Sequence, residues 1–305
     1  MNIRLGTRGS TLATTQSGLV ADALVAAGAE RGLEVEVELV TITTHGDISR
    51  ASLVGLSEVG VFVTALRSAL QAGECDVIVH SLKDMPTAPF EGIELAATPL
   101  REDARDALCA NRRTLDGLPA GSRVGTGSPR RAAQVLALRP DLETVAIRGN
   151  VDTRLAMVGA DLDAVVLAAA GINRLGRADE VSELFEPSAL LPSPGQGALA
   201  VEISSNAGDE LAQLVRSLND AATRAAVTAE RAALAVLDAG CSAPVGAFAT
   251  VDGATLTLDV RVINAGGTLA LNERVQGRVE DAVSLGRASA YALLGRGAAT
   301  LMGRP

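Results

Sequence analysis

The chain has 305 residues, 48% of them hydrophobic, with 27 Lys and Arg against 36 Asp and Glu and a net charge of −9. That length implies two or three domains with their own cores, and the acidic balance argues against nonspecific nucleic-acid binding, which needs a basic surface. There is no run of about 18 apolar residues to span a membrane and no signal-like apolar core at the start, so the expected location is the cytoplasm and no membrane partner is expected.

In chain order, Asn2–Gly6 reads as a short strand, followed by the turn TRGS and an amphipathic helix from about Ser10 to Ala27. The alternating VEVELVTI of residues 35–42 is a second strand, Val61–Gly73 is helical, and CDVIVHS is a third strand ending in the loop that holds Lys83 and Asp84. SRVGTGSPRRAAQ repeats this grammar: a strand runs into GTG, Ser128 suits the N-cap, and Pro129 suits the first helical position. VDTRLAMVG is a short helix and DAVVLAAA a buried strand leading to GINRLG. Strands alternating with helices imply parallel sheets wound on both faces.

ATPLREDARD around Pro99 and LLPSPGQG around Pro192 mark two crossings, and GALAVEI after the second reads as a strand returning to the first sheet. After about Leu218 come a long Ala-rich helix to Leu237, the loop DAGCSAPVG, three strands with a turn near NAGG, and a closing helix from about Glu280. The expected architecture is α/β. It comprises domain 1 at 1–98, completed by about 197–217, domain 2 at 99–196, and a smaller α+β domain at 218–305.

Lys83 is the only lysine beside 26 arginines, at a place where a compact flexible point charge and a planar fork are not equivalent. Eight arginines against five acidic residues between Arg123 and Arg177 put an anion site inside an otherwise acidic protein. In doubly wound sheets ligands bind outside the carboxyl ends of strands. Arg8 and Ser10 follow one such strand, Lys83 and Asp84 another, and Ser128, Arg130, Arg131, Arg148, Arg154 and Arg174 follow three more. Arginine forks at a Gly-bearing helix start suit carboxylates or phosphates.

The three cysteines, Cys75, Cys109 and Cys241, have no metal-ligand spacing, so neither a metal site nor a disulfide frame is expected. Cys75 and Cys109 read as core, whereas Cys241 sits in a Gly-, Ser- and Pro-bearing loop. Three readings follow: a hinged two-domain anion receptor, a Schiff-base enzyme using Lys83, and a transferase on a polyanionic substrate using Asp84 and Cys241. A carboxylate beside Lys83 keeps its amine protonated and disfavours the second.

TRGSTLATTQ, THGD, VHSLKDMP, REDARDA, VGTGSPRRAAQ, RGNVDTRL, AAAGINRLG, LPSPGQGALAVE, TAERA and GCSAPVG follow one another along the chain. In these motifs and their order the chain resembles the porphobilinogen deaminase family over essentially its whole length. The resemblance implies two domains like solute-binding proteins with an interdomain cleft, and a third domain whose Cys241 carries a dipyrromethane cofactor through a thioether. It implies stepwise condensation of four porphobilinogen molecules, with loss of ammonia and release of hydroxymethylbilane; a monomer is expected. Asp84 is then the catalytic carboxylate. Lys83, Ser128, Arg130, Arg131 and Arg154 face the cofactor, and Arg8, Ser10, Arg148, Arg154 and Arg174 the substrate. The chain departs from the family at Val59 and Thr64, where many members carry lysine, and at His45, where many read TRGD. These departures put the chemistry of the lid expected at 43–60 in doubt.

Overall fold

The computed structural model describes residues 1–42, 58–238 and 243–303. Two compact units emerge, one of residues 1–101 with 198–224, the other of 102–197 with 225–305.

The first unit is built on a five-stranded sheet of order β2-β1-β3-β10-β4. Its strands are β1 (Asn2–Thr7), β2 (Glu36–Thr41), β3 (Val77–Ser81), β4 (Ile93–Ala97) and β10 (Leu199–Ser204). Helix α1 (Thr11–Glu30) begins where Ser10, in extended conformation, accepts from Ala13 N at 3.4 Å, so a short polar side chain replaces a missing backbone partner. Gln16, Val20, Leu24 and Gly28 recur every fourth residue and form its buried stripe. Helix α2 (Glu58–Gln71) covers the opposite sheet face. β3 lies in the middle: Val77 and Val79 join the core beneath α1, and Ile78 joins Leu66, Ala69 and Leu70 of α2. Burial on both faces explains its unbroken apolar run.

The second unit holds another five-stranded sheet, β7-β6-β8-β5-β9. Its strands are β5 (Asp106–Cys109), β6 (Arg123–Thr126), β7 (Glu143–Ala146), β8 (Ala164–Ala168) and β9 (Glu183–Phe185). Helices α3 (Pro129–Leu138), α4 (Val151–Leu155) and α5 (Ala169–Arg174) follow β6, β7 and β8. Helix α6 (Asp209–Arg216) lies in the first unit and carries Leu214 and Val215 into its core. Helix α7 (Ala221–Val236) leads to the antiparallel sheet β11 (Val245–Asp252), β12 (Thr255–Ile263) and β13 (Ala270–Arg278), closed by α8 (Ala282–Gly295) and α9 (Ala298–Leu301). The alternation of β12, whose Leu256, Leu258, Val260 and Val262 are buried, gives that sheet one face against α7 and α8.

The fold is therefore mixed α/β with a smaller three-stranded sheet at the end, and the returning strand is β10. The five-stranded sheets are not wholly parallel: β10 runs antiparallel to β3 and β4, and β5 antiparallel to β8 and β9. Both reversed strands follow one of the two crossings, where the chain enters from the opposite end of the sheet. The long helix expected after Leu218 starts at Ala221, since Asp220 accepts from Thr223 N at 2.7 Å as a cap. Among the described residues no helix is long and apolar enough to cross a membrane.

Within the second unit the three-stranded sheet is tied to the five-stranded one. Arg261 on β12 donates to Gln134 Oε1 (2.8 Å) on α3 and to the carbonyls of Ala189 (3.0 Å) and Ser188 (3.1 Å). Fully buried Glu230 on α7 accepts from Gly195 N (2.6 Å) and Ala249 N (2.8 Å). At Gly267, in the β12–β13 turn, an added Cβ would collide with Ala133 O.

The chain passes between units at Arg101/Glu102 and at Gly197/Ala198. Glu102 N donates to Gly197 O at 3.2 Å. Gly197 has φ +87, and an added Cβ there would run into Glu102 O. Gly197→Ala is expected to cost roughly 1–3 kcal/mol from strain plus displacement of that carbonyl; an unchanged urea midpoint would contradict this.

Candidate active site

In the first unit the polar loops leave one edge of the sheet, the carboxyl ends of the parallel strands β1 and β3. Arg8 and Ser10 lie just beyond β1, Ser10 serving as the α1 cap. Beyond β3 the chain makes a single 3-10 turn, Leu82–Asp84. Leu82 and Met85 are buried, Lys83 is half-buried and Asp84 is exposed. Two apolar anchors thus hold a turn whose charged residues stay accessible.

Three further contacts fix that turn. Leu82 N donates to Ala198 O at 3.0 Å. Gln16 on α1 and Ser81 exchange hydrogen bonds at 3.1 and 3.3 Å. Beneath lies a buried charged group: Glu202 on β10 accepts from Arg67 Nε (2.9 Å) and Nη2 (2.6 Å), and His80 Nε2 stands 3.3 Å away. Burial raises the Glu202 carboxyl, but hydrogen bonds from His80 and Arg67 outweigh it and hold it below its ordinary value.

In the second unit the corresponding edge is formed by the ends of β6, β7 and β8. Ser128 caps α3, accepting from Arg131 N at 3.4 Å, with Pro129 in the first turn. Asn150 caps α4 by accepting from Thr153 N at 2.8 Å, which sets Arg154 on that short helix. A Cβ at Gly127 would stand 2.8 Å from Ile147 O and 3.7 Å from Arg154 Nη2, so glycine keeps this loop low beside the guanidinium. Arg148 is exposed at the start of the β7–α4 loop. Arg174, at the end of α5, donates to Gly197 O at 2.6 Å, and burial lowers its pKa against the attraction of Glu102.

Arg130 and Arg131 differ from the rest. They are 3% and 6% exposed, and both engage Asp106, which is 0% exposed. Arg130 Nη1 lies 2.8 Å from Asp106 Oδ2, and Arg131 Nε lies 2.8 Å from Oδ1. Burial pushes the Asp106 carboxyl up, and the two guanidiniums more than reverse this, bringing it to about 2. Burial also lowers Arg130, though the adjacent carboxylate opposes it.

Residues 3–212 match the family model described as porphobilinogen deaminase, dipyromethane cofactor binding domain, and residues 224–295 match the porphobilinogen deaminase C-terminal domain. The chain belongs to the porphobilinogen deaminase family. It is 51% identical over 317 residues to porphobilinogen deaminase 1 of Streptomyces coelicolor, covering 99% of this chain and 97% of that one. It is 54% identical over 276 residues to the porphobilinogen deaminase of Leifsonia xyli subsp. xyli, covering 88% and 82%. Its structure is also similar to the second substrate binding domain of a putative amino acid ABC transporter from Streptococcus pneumoniae, at 14% identity and TM-score 0.42, covering 72% of this chain and 91% of that one.

Each five-stranded sheet gathers its own expected residues: Arg8, Ser10, Lys83 and Asp84 at one edge of the first, and Ser128, Arg130, Arg131, Arg148, Arg154 and Arg174 at one edge of the second. Cys241 and His45 lie outside the described residues, Thr64 is exposed on α2, and Cys75 and Cys109 are buried. Sequence reasoning missed Asp106, Gln196 and Gln16. Asp106 stands within REDARDA, but nothing in its local pattern separates a buried partner of two arginines from a solvated loop acid.

Because Asp106 is held near 2 against an ordinary 3.8, its contribution to stability is complete above about pH 4 and is lost as pH falls toward 2, an effect of about 2 kcal/mol. Urea unfolding of the parent and of Asp106→Asn should show their stability difference narrowing by that order between pH 4 and 2. A pH-independent difference would place the carboxylate's stabilisation elsewhere.

Proposed function

We propose that this chain is a hydroxymethylbilane synthase. It joins four porphobilinogen molecules head to tail on a covalently held dipyrromethane, releases ammonia at each addition and frees the linear tetrapyrrole by hydrolysis. The observation that carries this reading is the Leu82–Asp84 turn, an accessible carboxylate and a half-buried ammonium on rigid anchors. Family membership over residues 3–212 and 224–295 supports it.

Dipyrromethane is two pyrroles bearing four carboxylates, and the donor set fits such a polyanion: forked cations at three strand ends, with Arg130 Nε buried and without a hydrogen-bond partner among the described residues. We assign Lys83, Ser128, Arg130, Arg131 and Arg154 to the cofactor, and Arg8, Ser10, Arg148, Arg154 and Arg174 to the acetate and propionate groups of substrate. We assign the thioether to Cys241. Cys75 and Cys109 support this by contrast, since burial raises their thiols to about 11 and about 12 and suppresses the reactive thiolate. When bound, dipyrromethane supplies the pyrrole end to which the first substrate unit is joined.

Asp84 manages charge. The substrate amine leaves as ammonia only with a proton on its nitrogen, and the carbon left behind is electron-poor. A carboxylate on a fixed turn accepts a hydrogen bond from a pyrrole N–H, stabilises the developing positive charge and relays protons at its Oδ atoms. Lys83 binds a ligand carboxylate beside it and keeps it from competing for the same position. We further read the chain as three domains, 1–98 with about 197–217, 99–196 and 218–305, acting as a cytoplasmic monomer without a nucleic-acid partner. The net charge of −9 supports the last point.

Asp84→Asn should keep the cofactor in part of the population and lose turnover by more than about 100-fold, with Asp84→Glu less affected; turnover within a few-fold of the parent moves the catalytic carboxylate elsewhere. Cys241→Ser should fold without the covalent mass excess of two pyrrole units, and finding that excess on a peptide containing Cys75 or Cys109 overturns the attachment site. Arg148→Leu should fold but impair cofactor assembly or arrest elongation. Normal elongation in that variant removes Arg148 from the ligand's contacts.

A further inference from the structure

The two adjacent arginines assigned to ligand carboxylates already share a carboxylate of the protein. Asp106 opens β5 opposite Ala168, the last residue of β8, so it stands at the sheet edge where α3 begins. Each of its oxygens meets a different guanidinium, at 2.8 Å in both cases. Gln196 closes the group: its amide donates to Asp106 Oδ1 at 2.8 Å and its carbonyl accepts from Arg131 Nη2 at 3.0 Å. The backbone completes the frame, Leu191 O accepting from Arg130 Nη1 at 2.6 Å.

Two guanidiniums and one carboxylate leave one positive charge. It belongs to side chains that are almost wholly buried, where water solvates it poorly. Among the described residues neither guanidinium has a second carboxylate partner. Without Asp106 two like charges on consecutive residues would repel; with a second resident carboxylate nothing would remain to attract an anion. One resident carboxylate therefore sets both the spacing of the forks and the charge left over.

We propose that Asp106 is a positioning residue: it holds Arg130 and Arg131 as an oriented pair with one uncompensated positive charge, so that this pair takes one carboxylate of the bound polyanion. The inference rests on the functional reading above and deepens it, giving the two arginines one shared carboxylate rather than one each.

The test uses full-length parent, Asp106→Ala, Asp106→Asn and Asp106→Glu. Intact mass reports the fraction carrying two extra pyrrole units, and thermal unfolding of protein made in cells lacking porphobilinogen is compared in sodium formate and sodium chloride at equal ionic strength. Asp106→Ala should load about tenfold less cofactor. Formate, occupying the vacated place as well as the ligand's, should raise its unfolding midpoint by several degrees more than the parent's and partly restore loading. Asp106→Asn should load poorly and gain less from formate than Asp106→Ala, because its amide fills the vacated space without the charge. Asp106→Glu, which keeps the charge one methylene out of place, should fold and load less than the parent, and it carries the test if the uncharged variants do not fold.

Loading equal to the parent in Asp106→Asn or Asp106→Glu, or a folded Asp106→Ala that does not respond to formate, overturns the proposal. A loss of stability alone, with loading intact, would mark a purely structural role. A parent without the covalent excess would overturn the functional reading instead, so the two failures are distinct.

Discussion

Burying a carboxylate is costly enough that it must be surrounded by cations and donors, and this requirement organises both five-stranded sheets. In each, the antiparallel strand brings the buried acid: Glu202 on β10 meets Arg67 and His80, and Asp106 on β5 meets Arg130 and Arg131. Effective desolvation runs to several kcal/mol per ion, and removing one partner of such a group typically costs about 3–5 kcal/mol. Groups of this kind contribute little net stability over an apolar core. Their effect is on geometry, because few arrangements satisfy every partner at once.

The two groups differ in what they leave over. Arg67 engages both oxygens of Glu202 and stacks over Phe90 with 4.9 Å to the ring centroid. That group braces α2 against β10 and against β3, the strand that leads into the Lys83–Asp84 turn, and it is closed to ligand. The Asp106 group sits at the sheet edge with a surplus of cation. One unit thereby presents an accessible acid on a rigid turn, and the other presents positive charge held in register.

The loops were legible in the sequence because strand, glycine turn and capped helix are local patterns. Ser128, Pro129 and the following arginines announced a helix start, and the structure has one there. The cationic character of residues 123–177 was equally readable. Strand direction was not, since GALAVEI has the same apolar pattern whichever way it enters a sheet. Nor was the pairing of Asp106, which depends on bringing residues 25 positions apart into one buried group. Arg130 and Arg131 were recognisable as cations, while their engagement by the protein's own carboxylate follows only from the fold. Gln16 likewise acts through Ser81, 65 residues away.

The two hairpin turns of the three-stranded sheet differ in their tolerance of added chain. At Gly267 the backbone of the β12–β13 turn lies against α3 so closely that even a methyl group has no room, whereas Gly253, at the β11–β12 turn, has nothing within 4 Å of its would-be side chain. The second turn is thus a port: a peptide tag or a fluorophore inserted there extends into solvent, while the same cargo at the first would pry the small sheet away from its support. A sheet with one sealed end and one open end can be instrumented without disturbing the face that matters.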